Sequence, residues 1–291
     1  MKKYIVIVSC LMICRSSSGY AQISRHDLQI TNISNEGFLL ASSTQKVLID
    51  ALYSEGYGLF SVPPKEVTNE IMDGTAPFDN IKLFLLTHYH KDHCDPVLIN
   101  EYLSKHKDVL FVASKPSIVF IDGNCFGFAR FKKQFHKLTP EVNHSISRII
   151  DMIPVKAFGL KHLSFYMDSV DVEENMDNVG FLFAMDGIRI FHSGDIKINA
   201  LRDYCAKNGK WTDTIDVAFL YYELFESGAS DIDYLVETLH PKYIIVMHIP
   251  QRNIEEWPAK IEQLKARFPN ILFFKKALDS KTINISGTDH D

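Results

Sequence analysis

The chain has 291 residues, of which 46% are hydrophobic and 23% are charged, and its formal net charge is −5. This composition is typical of a folded protein with a sizeable core, and the length lies within the range that sheet-rich single domains reach. An acidic protein without a basic stripe is a poor partner for polyanions, whose backbones are bound by clustered Lys and Arg. We therefore predict that the protein binds no nucleic acid.

The amino terminus has the pattern of an export signal. Lys2 and Lys3 precede an apolar stretch at 4–14, and small residues then lead to a cleavage site after Ala21. The apolar stretch is too short for a permanent membrane-spanning helix. We therefore predict a signal peptide at residues 1–21, export to the periplasm or the medium, and no stable membrane span.

A lipid anchor is the alternative, because Ile7-Val8-Ser9-Cys10 resembles a lipoprotein cleavage site, although Cys10 lies unusually early in the chain. Cleavage after Ala21 removes three basic residues and no acidic ones, so the net charge changes from −5 to −8. Residues 22–291 remain as one predicted domain, since they contain no internal repeat and no linker rich in Pro, Gly or Ser.

Short apolar runs predict strands along the whole of this domain. These runs are 28–33, 37–41, 47–49, 81–86, 109–113, 155–161, 179–185, 188–191, 217–221, 244–247 and 271–274. Apolar residues at helical spacing predict helices at 96–105 and 254–268. Asp186-Gly187, between two predicted strands, is a hairpin turn signal.

Two segments have less regular patterns. The stretch 53–80 contains Pro63-Pro64 and several glycines and acids, and we predict an ordered loop there that covers the functional site. The segment 126–135 contains the strongest cationic patch, Arg130-Phe131-Lys132-Lys133, interleaved with aromatic residues. We interpret it as an amphipathic helix with a solvated face rather than as a nucleic-acid contact.

A dense group of ligand-type side chains follows the predicted strand 81–86. Three histidines and one aspartate lie within six positions: His88, His90, Asp92 and His93. His88 and His90 alternate by two, so in extended backbone they point the same way. Imidazole and carboxylate groups suit zinc, and also manganese or iron, whereas without a cation their desolvated lone pairs would lack partners. The segment therefore predicts a metal site.

This segment resembles the metallo-β-lactamase superfamily, whose signature is His-x-His-x-Asp-His at the end of a strand. Further ligand-type residues follow in the superfamily's order, each after a strand-like run: His162, Asp195 in the form Gly194-Asp195, and His248. Upstream, Asp50 ends a strand, as in the superfamily motif that supports the site from outside. The resemblance covers nearly all of residues 22–291 and identifies them as a metallo-β-lactamase-like hydrolase domain.

The resemblance assigns the ligands to two metals. His88, His90 and His162 would hold the first, Asp92, His93 and His248 would hold the second, and Asp195 would bridge them. His136 and His144 are alternatives to His162, but neither follows a clear strand. Cys94 adjoins His93, yet the donor set is complete without it, so we expect Cys94 to be a small packed residue.

The resemblance also implies a fold and a chemistry. The fold is α+β, a four-layer αββα sandwich of two mixed sheets packed face to face with helices outside. The cofactors are two divalent metal ions, most readily zinc, with manganese or iron as alternatives. Two such ions lower the pKa of a shared water, and Asp92 would orient that water and carry a proton to the leaving group. His192 is a further catalytic candidate beside the substrate, and a supporting position at the strand end is the alternative.

The sequence constrains the substrate less than it constrains the metal ligands. True β-lactamases of the superfamily lack the bridging aspartate, so Gly194-Asp195 favours an ester, a lactone or a phosphodiester. The ligand spacing and the segment Asn178-Val179-Gly180-Phe181 resemble the branch that contains L-ascorbate-6-phosphate lactonase and N-acyl-phosphatidylethanolamine phospholipase D. The aromatic segment 219–225 would suit an acyl group or, alternatively, a buried core. We predict a small-molecule or lipid-like substrate.

Two other functions stay open from the sequence. One is a metal-binding protein of this fold without hydrolase activity, although every expected ligand residue is present. The other is a di-iron oxidoreductase of the same superfamily. Oxidoreductases of that kind usually have an acidic residue where His90 stands and an attached flavin domain, and the chain has neither.

Overall fold

The structure is a computed structural model that describes residues 27–285 except residues 172 and 174. The predicted signal peptide at residues 1–21 and the alternative lipid anchor at Cys10 lie outside these residues. No helix within the described ranges is long and apolar enough to cross a membrane.

The first sheet contains seven strands within the described residues. They are β1 (Asp27–Ser34), β2 (Gly37–Ala41), β3 (Lys46–Ile49), β4 (Leu83–Leu85), β5 (Leu110–Ala113), β6 (Phe135–Lys137) and β16 (Ser280–Asn284). Their spatial order is β16-β1-β2-β3-β4-β5-β6, and β3 to β6 are parallel neighbours. The carboxyl ends of β3 and β4 therefore lie at one edge, where Asp50 and His88 follow them.

The second sheet also has seven strands among the residues described. They are β7 (Ser145–Ile150), β8 (Ile153–Gly159), β11 (Val179–Met185), β12 (Ile188–His192), β13 (Val217–Tyr221), β14 (Tyr243–Met247) and β15 (Ile271–Phe273). Their order is β15-β14-β13-β12-β11-β8-β7, with β12 to β15 parallel. A small separate hairpin, β9 (Tyr166–Met167) and β10 (Val170–Asp171), follows β8.

Six α-helices of the described part of the chain cover the outer faces of the sheets. They are α1 (Lys65–Asp73), α2 (Pro96–Lys105), α3 (Lys115–Asn124), α4 (Ile198–Asn208), α5 (Ala229–Leu239) and α6 (Trp257–Lys265). One apolar cluster lies between the sheets, the second packs α4 to α6 on the second sheet, and the third packs α1 to α3 on the first. The predicted four-layer αββα sandwich is therefore confirmed.

Local predictions agree with this structure in most places. The bounds of β2, β11, β13 and α2 agree residue for residue with the predicted segments. Asp186 and Gly187 form the two-residue turn between β11 and β12, and both have positive φ, as this kind of hairpin turn requires. Burial explains why the strand predictions succeed, because each run packs at least one apolar face against another layer.

Two segment predictions need correction. The segment 126–135 is not an amphipathic helix, since only Phe128–Phe131 forms one 3-10 turn. The preceding helix ends at Asn124, Cys125 is extended, and Gly127 has a φ of 77°, so no helix continues into this segment. The stretch 53–80 is not a loop throughout, because α1 occupies Lys65–Asp73 and buries an apolar face. In its first part, Phe60 and Tyr57 contact His248 and His90, and the covering role stays a prediction.

Candidate metal centre

The loops after four strands, β4, β8, β12 and β14, bring the predicted ligand residues to one place. Seven residues form this group, which we call the donor cluster: His88, His90, Asp92, His93, His162, Asp195 and His248. Two sets of three within it, His88 with His90 and His162, and His88 with His93 and Asp195, have ligand atoms within 4.8 Å of one another. Residues distant in sequence meet because the carboxyl ends of parallel strands share one edge of each sheet.

His88, His90 and His162 form the first part of the cluster. The Nε2 atom of His88 lies 3.1 Å from Nδ1 of His90. The Nδ1 atom of His162 lies 2.8 Å from the carbonyl oxygen of Leu163, which can only accept, so Nδ1 carries the proton. The Nε2 atom of His162 is therefore left with a free lone pair that faces the cluster.

Thr87 orients His88 in the same way. Its hydroxyl donates to Oδ2 of Asp50 at 2.6 Å and therefore accepts from Nδ1 of His88 at 3.0 Å. The lone pair of His88 is thereby directed through Nε2 towards the other histidines. Such outer hydrogen bonds fix the tautomer and the ring orientation of histidines that bind metals.

His93, His248 and Asp92 form the second part of the cluster. The Nδ1 atom of His93 donates to Oδ2 of Asp50 at 2.9 Å, and its Nε2 atom lies 3.4 Å from Oδ2 of Asp195. The Nε2 atom of His248 lies 3.1 Å from the same oxygen of Asp195 and 3.3 Å from Oδ2 of Asp92. That oxygen also lies 4.0 Å from Nε2 of His162, so Asp195 stands between the two parts.

Asp50 supports the cluster from behind. It is fully buried and accepts hydrogen bonds from the amide and the hydroxyl of Thr87 and from His93. The bond from His93 orients that histidine directly, and the bond from the Thr87 hydroxyl orients His88 through Thr87. This arrangement is the one the sequence predicted for Asp50, outside the ligand set.

Gly194 and Asn178 fix the backbone of Asp195. Gly194 has a φ of 59°, and a Cβ atom there would stand 2.1 Å from Oδ1 of Asn178. That same oxygen accepts from the amide of Asp195 at 3.0 Å, and the Asn178 amide group donates to the carbonyl of Ser193. From the sequence, Asn178 was only part of the segment Asn178-Val179-Gly180-Phe181 before a predicted strand, with no role of its own at the site.

The histidines of the cluster form two groups, according to whether their surroundings lower or raise the imidazole pKa. Burial lowers the pKa of His88 well below its ordinary value and lowers the pKa of His162 to about 4. Burial acts in the same direction on His93 and His248, but the neighbouring carboxylates outweigh it and raise the pKa of both. Burial opposes ionisation of Asp195, yet His248 and His93 hold its pKa well below the usual range.

The donor set fits divalent cations. Six of its buried side-chain atoms lack a hydrogen-bond partner among the described residues: Oδ1 of Asp92, Nε2 of His93, Nε2 of His162, Oδ1 of Asp195 and both ring nitrogens of His248. A buried polar atom without a partner is costly, and bound cations would satisfy all of these atoms except Nδ1 of His248. Nitrogen and carboxylate donors in this mixture suit zinc, manganese and iron.

The residues considered as alternatives lie elsewhere. His136 lies on β6, and His144 is 46% exposed with its Nδ1 atom 3.6 Å from Glu141. Neither belongs to a group of potential ligands within the described residues, whereas His162 does. Cys94 is buried in the apolar cluster beneath α1 to α3, as a packed residue would be. The assignment of the seven residues as ligands stays a prediction.

His192 lies behind the cluster rather than at its open side. It is fully buried, its Nδ1 atom accepts from the amide of Gly194 at 3.2 Å, and its Nε2 atom lies 3.3 Å from the carbonyl oxygen of Glu36. Burial lowers its pKa to about 4, consistent with a neutral ring. Its catalytic role stays a prediction, and the geometry favours a positioning role.

Glu36 is a buried residue at this centre that the sequence reasoning missed. It belongs to the turn between β1 and β2 and is 0% exposed. Together with His93 and His248 it forms a third group of potential ligands. A glutamate in a hairpin turn usually points into solvent, so the sequence carried no signal of this position.

Residues outside the cluster contact its histidines, and an exposed apolar hairpin lies between His162 and Glu173 in the sequence. His90 is its most exposed histidine, and Nε2 of His90 lies 3.0 Å from Oε2 of Glu173. Phe60 packs edge-on against His248, with ring centres 4.1 Å apart. The hairpin of β9 and β10 leaves four large apolar side chains exposed: Phe165, Tyr166, Met167 and Val170. The aromatic segment 219–225, by contrast, is mostly buried core.

Comparisons with known proteins give a family and several similar folds. Residues 29–248 match a family profile described as the beta-lactamase superfamily domain. No curated protein matches the chain. Igni18, a novel metallo hydrolase from the hyperthermophilic archaeon Ignicoccus hospitalis, is 16% identical with a TM-score of 0.56, over 89% of this chain and 99% of that one.

Two further solved structures are similar. The metallo-beta-lactamase fold protein YhfI from Bacillus subtilis is 11% identical with a TM-score of 0.56, over 89% of this chain and 100% of that one. CmlA, a diiron β-hydroxylase from Streptomyces venezuelae, is 13% identical with a TM-score of 0.51, over 89% of this chain and 54% of that one. At these identities the likeness concerns the fold.

Proposed function

This chain belongs to the beta-lactamase superfamily, and we propose that it is a hydrolase that depends on two divalent metal ions. The observation that carries this proposal is the set of unpartnered, buried nitrogen and carboxylate atoms that converge in the donor cluster. His88, His93 and His162 donate outer hydrogen bonds to Thr87, Asp50 and the carbonyl of Leu163, and these bonds already orient them as ligands. A site prepared in this way needs cations to compensate its buried charge.

Each residue has a proposed task. His88, His90 and His162 would hold one metal, Asp92, His93 and His248 would hold the other, and Asp195 would contribute its carboxylate to both. When bound, a pair of such ions supplies a water of lowered pKa and polarises the bond to be cleaved. Asp92, which is 3% exposed and keeps Oδ1 unpartnered, orients the attacking water and passes a proton to the leaving group. His192 holds the loop of Asp195 and the turn of Glu36 in place.

We propose an ester, lactone or phosphodiester with an apolar group as the substrate class. Gly194-Asp195 favours these bonds over a β-lactam because it supplies the bridging carboxylate. The exposed apolar side chains of the hairpin, such as Phe165 and Met167, stand in the segment between His162 and Glu173, which contacts His90. An apolar border beside the reacting bond suits an acyl or lipid-like group better than a bare sugar phosphate.

The test combines a metal assay with a substrate screen. Purified protein should bind close to two equivalents of zinc, manganese or iron, measured by elemental analysis. Metal-loaded protein should hydrolyse at least one member of a panel of esters, lactones, thioesters and phosphodiesters with short and long acyl groups. Less than half an equivalent after loading would refute the proposal. Two equivalents without hydrolysis would favour the binding-protein alternative, and oxygen consumption with iron would favour the oxidoreductase.

The proposed location is outside the cytoplasm. The basic start, apolar stretch and small residues of 1–21 support removal of this segment on export. Mass spectrometry of the mature protein should find a chain that begins at Gln22. A lipid-modified amino terminus at Cys10 would instead support the anchored form.

A further inference from the structure

The turn between β1 and β2 brings a third carboxylate to the metal centre. The Oε2 atom of Glu36 lies 3.4 Å from Nε2 of His248, and its Oε1 atom lies 3.7 Å from Nδ1 of His93. Both carboxylate oxygens are buried without a hydrogen-bond partner among the described residues. An unsatisfied, fully buried carboxylate is costly, so its position needs a physical explanation.

The distances around His248 supply that explanation. Its Nε2 atom has three carboxylate oxygens at similar range, from Asp195 at 3.1 Å, Asp92 at 3.3 Å and Glu36 at 3.4 Å. One ring N–H can donate well to only one of them. Donor atoms about 2.0–2.2 Å from one cation lie roughly 2.8–3.6 Å apart, from octahedral to tetrahedral geometry. The spacing is that of atoms that share a metal ion.

Two hydrogen bonds and one close backbone approach hold the turn of Glu36 against the metal centre. The amide of His248 donates to the carbonyl of Asn35 at 3.3 Å, and His192 donates to the carbonyl of Glu36 itself. A Cβ atom on Gly37 would stand 2.7 Å from the carbonyl oxygen of Asp50, so only glycine permits this close approach. Residues on three loops of the centre thus position the turn and make the carboxylate part of a built site.

We propose that Glu36 is a direct ligand of the second metal, beside Asp92, His93, His248 and the bridging Asp195. This inference rests on the proposed binuclear function and adds a ligand to it. The second site then has three carboxylates and two imidazoles, whereas the first is dominated by three imidazoles. Carboxylate oxygens suit manganese better than imidazole nitrogens do, so the second site is the one adapted to the harder cation.

Glu36→Gln tests the inference, because it keeps the size of the side chain and removes its charge. The affinity for the second equivalent of metal should fall by at least about 100-fold, and the loss should be larger for Mn²⁺ than for Zn²⁺. With Co²⁺ as the probe, the visible absorption of the second equivalent should change, because it reports the number and geometry of the ligands. Titration calorimetry and absorption spectroscopy provide both readouts without any substrate.

Glu141→Gln is the matched control. Its carboxylate also lies beside an imidazole, 3.6 Å from Nδ1 of His144, but that histidine is outside the donor cluster. This variant should bind two equivalents with the wild-type cobalt spectrum. Glu36→Asp is a second variant that keeps the charge and withdraws the carboxylate by one methylene, and it too should alter that spectrum. Circular dichroism of the variants checks that they fold.

The outcomes separate the two proposals. If the wild-type protein does not bind two equivalents, the binuclear function itself fails. If it does, and Glu36→Gln binds both with unchanged affinity and spectrum, Glu36 is not a ligand. A weaker second equivalent with an unchanged cobalt spectrum in both Glu36 variants would also overturn the ligand role and leave Glu36 as a group that orients His248.

Discussion

The Nε2 atom of His248 lies 3.1 Å from Oδ2 of Asp195, although the two residues follow different strands of the second sheet. The same oxygen faces His93 and His162, which belong to the two proposed metal sites. Asp195→Asn keeps the shape but removes the charge that would hold two dications together. We expect the affinity for the second equivalent to fall by at least about 100-fold, as measured by titration calorimetry, and hydrolysis to fall with it. Retention of two equivalents at wild-type affinity would contradict the bridging role.

Substitution of Asp92 should impair the chemical step more than substrate binding. In Asp92→Asn the side chain can no longer accept and pass on a proton, so kcat should fall by at least about 100-fold while KM changes little. Steady-state kinetics on the best substrate of the screen, at saturating metal, measure this split. A raised KM with unchanged kcat would mean that Asp92 serves only to bind the substrate.

His162 is the ligand for which the sequence left alternatives. His162→Ala should remove one metal equivalent and lower turnover at least about 100-fold, a loss of roughly 2.7 kcal/mol in transition-state stabilisation. Elemental analysis and kinetics check this. His144→Ala and His136→Ala are the controls and should bind two equivalents, since neither side chain belongs to the donor cluster. Loss of metal in His144→Ala but not in His162→Ala would show that the assignment is wrong.

Replacing Gly194 with alanine should impair the protein more than replacing Gly187 with alanine. Both glycines have positive φ, so alanine is strained by roughly 1–2 kcal/mol at either position. Only at Gly194 would the new Cβ meet another group, Oδ1 of Asn178 at 2.1 Å, and the turn at Gly187 is open. Gly194→Ala should therefore displace Asp195 and weaken metal binding, whereas Gly187→Ala should lower only stability. Equal metal affinity in the two variants would contradict this.

Asp216 should make stability depend on pH in the acid range. Burial opposes its ionisation, but the amide of Arg189 at 2.8 Å and the ammonium of Lys242 at 2.9 Å outweigh burial and lower its pKa. A group with a lowered folded-state pKa stabilises the protein above its unfolded pKa, about 4 for aspartate, and loses that contribution as the pH falls through the folded value. Asp216→Asn should therefore destabilise the protein by about 1–3 kcal/mol at neutral pH and by less at pH 3.

Denaturant unfolding at matched metal content measures this difference at both pH values. The exposed Asp122 offers the control, since Asp122→Asn should have nearly the same stability as the wild type at each pH. A destabilisation by Asp216→Asn that is equally large at pH 3 and at neutral pH would indicate a packing defect rather than a charge effect.

Much of the architecture was predictable from local patterns. Apolar runs such as 179–185 and 217–221 became strands with the predicted bounds, because burial on one or both faces needs a repeating pattern that the sequence displays. The helices α3, α4 and α5 were not predicted. Their buried residues are interspersed with polar ones, and α3 ends with a glycine and an asparagine that weaken the helical pattern.

The donor cluster was also predictable from the sequence only in part. Its histidines and aspartates each follow a strand, so the chain itself determined which residues were candidates and in what order. Only the tertiary structure decided which of them meet: it placed His162 rather than His144 beside Asp195, put His192 behind the centre, and turned Glu36 inwards from a hairpin. The physical reason is that local sequence sets the period and the ends of strands, whereas the packing of two sheets determines which loop ends share the space between them.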